Sequence, residues 1–190
     1  VTTVNVQGWG IVEVGTDIDA DFLVNECRRT SIPALSDCQP NAFRMSIEVQ
    51  QRWGGIAPRA LLGCEFIPSK GTSTELEVGV SSFGMLDAGG ERTCPSRLWK
   101  FPFTAGLPTD LAEAVMSGLT RTLAIRLRPG TLRIDRAGFD VVNSADPVFA
   151  SAASLLIVAV AAQANGTNPV AAVRMTMETW RREKEDPQRS

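Results

Sequence analysis

The sequence predicts an α+β fold, a mixed sheet with two helices on one face, and three observations carry that expectation. Residues 42–50 alternate Phe43, Met45, Ile47 and Val49 with Arg44, Ser46, Glu48 and Gln50, the period of a half-buried strand. Residues 148–162 hold almost no polar side chain beyond Ser151 and Ser154, so a helix there has no solvent face and must be buried nearly all round. Strand patterns fill the first half of the chain and helical ones come late, an order that separates α+β from a doubly wound sheet.

Taken in order, residues 4–14 alternate loosely about Gly8-Trp9-Gly10 and predict a strand bent at the glycines. Residues 17–29 predict a short helix: Thr16 or Asp17 caps it, Ile18, Phe22 and Leu23 fall at helical spacing, acids occupy the first turns and Arg28-Arg29 the last. A connector punctuated by Pro33 and Pro40 follows, each proline holding its predecessor extended, and a domain boundary is expected there. After the strand at 42–50 and a glycine-rich loop at 52–58 come strands at 60–67 and 75–80. Residues 81–97 predict a loop and 98–103 a strand. Thr109-Asp110 caps a helix to about residue 122, with Leu111, Val115, Met116 and Leu119 as its buried stripe. Residues 123–128 alternate as a strand until Pro129-Gly130 ends it. Residues 131–141 predict a hairpin, apolar at Leu132, Ile134, Phe139 and Val141 and turning at Ala137-Gly138. Asn143-Ser144, Asp146 and Pro147 together predict that the buried helix starts near Ala145. A turn at 165–169, a strand at 170–177 and a frayed charged tail complete the reading.

At 190 residues and 44% hydrophobic content one substantial core is expected, and the net charge of −2 gives no global attraction to nucleic acid or to an anionic membrane. The longest apolar run, 155–162, falls short of the ~20 residues a span needs, so no membrane helix is expected. No basic and apolar leader opens the sequence, which makes the cytoplasm the expected compartment. The four cysteines, Cys27, Cys38, Cys64 and Cys94, are scattered, and no histidine is present to complete a zinc set or a Cys–His pair. No GxxxxGK(S/T) loop is present, so no nucleotide and no cofactor is expected.

Three stretches resemble the fourth domain of translation elongation factor G and the ribosomal-protection GTPases. LRIDRAGFDVVNSADPVFASAAS (132–154) is similar to that family's hairpin tip and following helix, QQRWGGIAPRALLGCEFIPSK (50–70) to its KQxGGxGQxxxVxLxxEP segment, and AGLPTDLAEAVMSGL (105–119) to its GGxPxxYxxAVxxGL helix, all in the family's order. The resemblance implies the ribosomal protein S5 domain 2-like fold for residues 41–166. It also implies that residues 1–40 are a strand–helix remnant of a ferredoxin-like third domain with a connector, and that 167–190 are a terminal strand entering a fifth domain plus a charged tail. In that family the tip enters the ribosomal decoding site. The chain departs from the pattern at Asp140, where elongation factor G has a histidine, at Trp53, and at Ala57-Pro58. The implied function is non-catalytic ribosome or rRNA binding; the alternative is a protein-interaction module whose N-terminal strand docks on a partner that supplies the GTPase.

Between residues 121 and 136 five arginines face one acid, Asp135, a local formal charge of +4. Arg126 and Arg128, two apart on the expected strand, would present one face to phosphates, joined by Arg133; the other reading of these arginines is a solvated face paired with acids elsewhere. At the tip, Arg136, Phe139 and Asp140 place an aromatic beside a guanidinium, a combination able to stack on unpaired bases; Phe139 can equally anchor the hairpin in the core. Arg52, Trp53, Gly54 and Gly55 form the second loop expected at the same end, with Trp53 either stacking on RNA or seated on its own sheet. The acids Asp135/Asp140 and Glu75/Glu77 read as solvent-facing strand residues, since no second catalytic group accompanies them.

Overall fold

The computed structural model describes residues 1–35, 41–52, 54–87, 89–121 and 125–185. Its strands are β1 (Thr2–Val6), β2 (Gly10–Gly15), β3 (Glu26–Pro33), β4 (Phe43–Gln51), β5 (Arg59–Pro68), β6 (Ser73–Val80), β7 (Thr93–Cys94), β8 (Phe103–Ala105) and β9 (Gly130–Phe139), and its helices α1 (Thr109–Arg121), α2 (Asp146–Ala164) and α3 (Pro169–Glu185). Seven strands run in the order β1-β2-β4-β5-β9-β6-β3, with β8 on β9 and β7 on β8. Every pairing is antiparallel except β6 with β9, which α1 joins as a crossover. The molecule is a mixed α+β protein with a large, mostly antiparallel sheet and three helices.

All three helices lie on one face of the sheet. α2 packs on β4 and β5 with α1 and α3 against its flanks, while α1 covers β6 and α3 covers β1. Ile47, Val49, Leu62, Leu132 and Ile134 from the strands meet Leu111, Val115, Leu155, Leu156 and Val160 from the helices in one continuous core. Covered on three sides, α2 needs no polar stripe, as its sequence predicts. By length and composition it would pass for a membrane span, yet 83% of its apolar window is buried inside the protein. α1 approaches α2 backbone to backbone: a Cβ on Gly118 would run into the Ala150 carbonyl oxygen, and the Ser154 hydroxyl donates to the Gly118 carbonyl at 2.9 Å.

Six expected elements take another form. The bent strand at 4–14 is a β1–β2 hairpin, closed by the Trp9 N–H donating to the Val6 carbonyl at 3.1 Å. The helix expected at 17–29 is absent. Because β2 and β3 lie on opposite sides of β9, residues 16–25 must cross the sheet extended. Ile18 seats over Gly63, Val24 over Gly79, and the Ala20 carbonyl accepts the Ala137 N–H at 3.1 Å. Residues 26–33 then pair with β6, and long-range pairing outweighs the local capping signals. The strand at 98–103 shrinks to β8. Residues 125–128 lie outside any strand, and 122–124 fall outside the described residues.

The hairpin at 131–141 is one continuous strand, β9, with a bulge. Ile134 faces Cys64 and Arg136 faces Gly63, so Asp135 is an extra residue and the side-chain parity shifts there. Leu132 and Ile134 before the bulge, and Ala137 and Phe139 after it, therefore all face the helices. Gly138 makes no turn; it leaves room for Phe103, whose Cβ a Gly138 side chain would meet at 2.8 Å. The strand expected at 170–177 is the first half of α3. The Asn168 side-chain oxygen accepts the Val170 and Ala171 N–H groups at 2.9 and 3.2 Å, and Val173, Met177 and Trp180 recur at helical spacing onto the core. That helix continues to Glu185, so residues 179–185 of the expected frayed tail are ordered. The strands of residues 1–40 belong to the same sheet as those of 41–166, β1 and β2 beside β4 and β3 beside β6.

Candidate functional site

The sheet face turned away from the helices is polar in sequence and divides in two along β9. On the N-terminal half, Arg44, Glu65, Arg133, Glu77 and Arg29 are register neighbours on β4, β5, β9, β6 and β3, a row of alternating charge across five strands. Arg133 and Arg29 both donate to Glu77, at 2.8 and 2.9 Å, and Arg44 to Glu65 at 3.4 Å. The Arg133 hydrogen bond, aided by Arg29 against the opposing effect of burial, holds the Glu77 carboxyl below the usual carboxylate range. Arg133 is thus exposed but paired.

Beyond the bulge the same face is buried. Arg136 is 1% exposed and pairs with Asp135 and with Asp17 of the crossing segment. Glu48, equally buried on β4, accepts the Ser96 hydroxyl and the Arg97 and Leu98 N–H groups, tying the 95–102 segment over the sheet. Arg97 reaches Glu13 at 3.0 Å. Cys64 and Cys94 are buried thiols whose pKa values burial pushes up to about 12, which keeps them protonated and poorly nucleophilic. Among the described residues no group of three His, Cys, Asp or Glu side chains could hold a metal ion.

At the C-terminal end of β9, Arg59 is the keystone. Its guanidinium, 2% exposed, bonds Asp140 at 2.7 and 2.9 Å and the Phe101 and Pro102 carbonyls at 2.7 and 2.8 Å, and it stacks 4.2 Å from the Phe103 ring centroid. Its N–H donates to the Asn143 carbonyl at 2.8 Å, while its own carbonyl accepts the Ser144 hydroxyl at 2.8 Å. Asp140 also accepts from the Val142 and Asn143 N–H groups and the Asn143 amide. Burial pushes its carboxyl up, but the bonds from Asn143, Val142 and Arg59 outweigh burial and hold it below the usual range. One ion pair thereby joins three segments at one end of the molecule: the start of β5, the 140–143 turn and the 101–103 segment.

What this clamp presents is apolar and basic. Val142 is 86% and Phe101 54% exposed, and with Val141 they rim a shallow depression of about 390 Å³ above Arg59. The Lys100 ammonium lies 4.9 Å from the Phe101 ring centroid. Ile56 and Arg52 are exposed in the neighbouring loop, where Gly54 adopts a φ of 59° that favours glycine. No known family, curated protein or solved structure matches the chain. Phe101, Val141 and Val142 thus form an exposed apolar ridge with Lys100 beside it.

The residues expected at the RNA interface do not all gather here. Arg52, Gly54, Gly55 and Asp140 lie at this end; Trp53 lies outside the described residues. Phe139 is fully buried, 6.2 Å from Phe83 between ring centroids, and is a core anchor, so it offers no stacking face. Arg136 is buried in ion pairs and is likewise unavailable. Arg126, exposed, and Arg128, which donates to the Ala164 carbonyl at 3.1 Å, lie beside the start of β9 at the opposite end. Sequence reading missed Arg59, Phe101 and Val142. Arg59 reads as one more strand residue, the exposure of Val142 depends on the turn that Asp140 makes, and Phe101 is placed by the Arg59 bond to its carbonyl.

Proposed function

We propose that this protein is a non-catalytic, ribosome-directed binding protein related to the fourth domain of elongation factor G, with the Arg59-clamped end as its rRNA-facing tip. The supporting observation is that the start of β5 and the 140–143 turn, far apart in sequence and both within stretches that carry the resemblance, meet at one end and are held there by a buried Arg59–Asp140 pair. A preorganised tip forgoes most of the ordering cost on binding. The mixed sheet with α1 and α2 on one face agrees with the S5 domain 2-like arrangement that the resemblance implies, with β1–β3 and α3 as additions. Contacts come from Phe101, Val141, Val142, Lys100 and Arg52 in place of Phe139 and Arg136.

Co-sedimentation with ribosomes across a salt series, in competition with elongation factor G, tests this reading. Binding at low salt that the factor displaces is the expected result; a chain that stays in the supernatant at every salt overturns it. Calorimetry with GTP should show no saturable binding. One observation favours the second reading, a module that docks on a partner chain: β1 is the terminal strand of the sheet, with Thr2, Thr3 and Asn5 exposed. A partner strand added there would protect the backbone amides of β1 from hydrogen exchange.

A further inference from the structure

The 52–58 loop is reached from both ends of the sequence. Gln51 closes its base by donating its N–H to the Pro58 carbonyl at 2.9 Å, and the next residue bonds on the other side: the Arg52 N–H donates to the Trp9 carbonyl at 3.1 Å. That bond carries the β2–β4 ladder one step past the Gly10–Gln51 pair, so the point where the chain leaves the sheet rests on the β1–β2 turn. Gly10 lets β2 come this close, since a Cβ there would meet the Gln51 Cα at 2.9 Å. Trp9 is held in the turn by its ring, which is 8% exposed and lies 5.8 Å from the Trp180 ring between centroids, a separation at which aromatic pairs attract beyond their buried area. Trp180 is the only aromatic residue of α3, a helix that fully buries only Val173 and Met177. Its one ring therefore falls on the turn whose carbonyl holds Arg52. Arg181 follows it there, with its Cδ 4.0 Å from where a Gly8 Cβ would stand.

We propose that Trp9 and Trp180 are positioning residues for Arg52: the aromatic pair braces the β1–β2 turn, and the turn fixes the Arg52 backbone so that its exposed guanidinium meets an RNA phosphate from a set place. The inference rests on the reading of this end as the rRNA-facing tip. A bond at the end of a ladder opens readily unless packing behind it holds both strands, and a long cation whose backbone is already fixed gives up less freedom on binding. The two parts of the tip thus have separate supports. Arg59 and Asp140 hold the 140–143 turn, while the aromatic pair holds Arg52. Both tryptophans lie outside residues 41–166, which makes the brace an addition of this chain to the region that carries the resemblance, and it makes the C-terminal helix a working part of the tip.

Two measurements on the full chain test the brace, and only the second involves ribosomes. In residue-resolved hydrogen exchange, Trp180→Ala should lower the protection of the Arg52 amide about tenfold or more and leave the Ile47 and Leu62 amides of the sheet interior unchanged, while Trp180→Phe, which keeps a ring, should retain it. Unchanged Arg52 protection, or equal loss at all three amides, would overturn the proposal. Should Trp180→Ala fail to fold, Trp180→Leu keeps apolar bulk without the ring and carries the same comparison. In ribosome co-sedimentation, Trp180→Ala should weaken binding about as much as Arg52→Ala does, and should weaken the Arg52→Ala protein no further, because the tryptophan acts only through the arginine. Additive losses would overturn the proposal. A parent that does not sediment removes the rRNA reading, and the exchange comparison then decides the brace by itself.

Discussion

The two halves of β9 differ more than their sequences do. Before the bulge, Arg133 stands in an open row and shares Glu77 with Arg29; three residues later Arg136 is sealed under the crossing segment, and Phe139 and Asp140 belong to the core and the Arg59 clamp. One inserted residue, Asp135, separates a solvated face from a buried one. Identical residue types therefore carry unlike energetics: a half-exposed ion pair stabilises little, whereas a buried one that loses its partner leaves an uncompensated charge.

The largest effect should fall on the layer beneath both halves. Leu156→Asp or Ala153→Asp places a carboxylate in the fully buried side of α2, a cost of several kcal/mol against a total stability of about 5–15 kcal/mol, and a cooperative thermal transition should vanish. Retention of a cooperative melt by both variants would remove α2 from its central role. Next, Asp140→Ala strands the Arg59 guanidinium and should cost about 3 kcal/mol in denaturant melts. The carboxyl is held below its unfolded value, so its contribution is present above about pH 4 and lost as pH falls through the lower folded value. The stability gap between parent and Asp140→Asn should close over that acid range and stay flat from pH 5 to 8; a gap that widens on acidification would contradict the assignment.

Smaller effects sharpen the contrast between the halves. Gly138→Ala brings a methyl to 2.8 Å from the Phe103 Cβ and 2.9 Å from the Cys94 sulfur, and should cost about 1–3 kcal/mol. Arg133→Ala, on the open half, should cost no more than about 1 kcal/mol and less in high salt. Reversal of that order in a urea series would mean that the bulge does not divide the strand.

The sequence reveals the helix-covered face far better than the other. Residues 42–50 and 148–162 announce themselves because burial on one face, or all round, leaves a period that local reading detects. The opposite face gives no such period: Glu48, Arg59 and Arg136 are buried by segments distant in sequence, and polar residues in a strand read as solvated. The bulge defeats reading at 131–141, since a two-residue period broken by one insertion imitates a turn. At 17–25 the acids and apolar residues satisfy a helical pattern, and only the separation of β2 from β3 in the sheet forces an extended path. For the site, the resemblance draws attention to residues 52–55 and 136–140, but the exposure of Val142 depends on the Asp140 turn, which no spacing encodes.

In the proposed role the Arg59–Asp140 clamp holds Phe101 and Val142 in place as the contact ridge. The direct test is ribosome co-sedimentation of a Phe101→Ser/Val142→Ser variant beside the parent, with thermal midpoints measured on both. Because both side chains are largely exposed, the midpoint should hold, while loss of a stacking contact worth about 1–3 kcal/mol should weaken binding roughly tenfold or more. Equal sedimentation of variant and parent, with unchanged midpoints, would contradict the account.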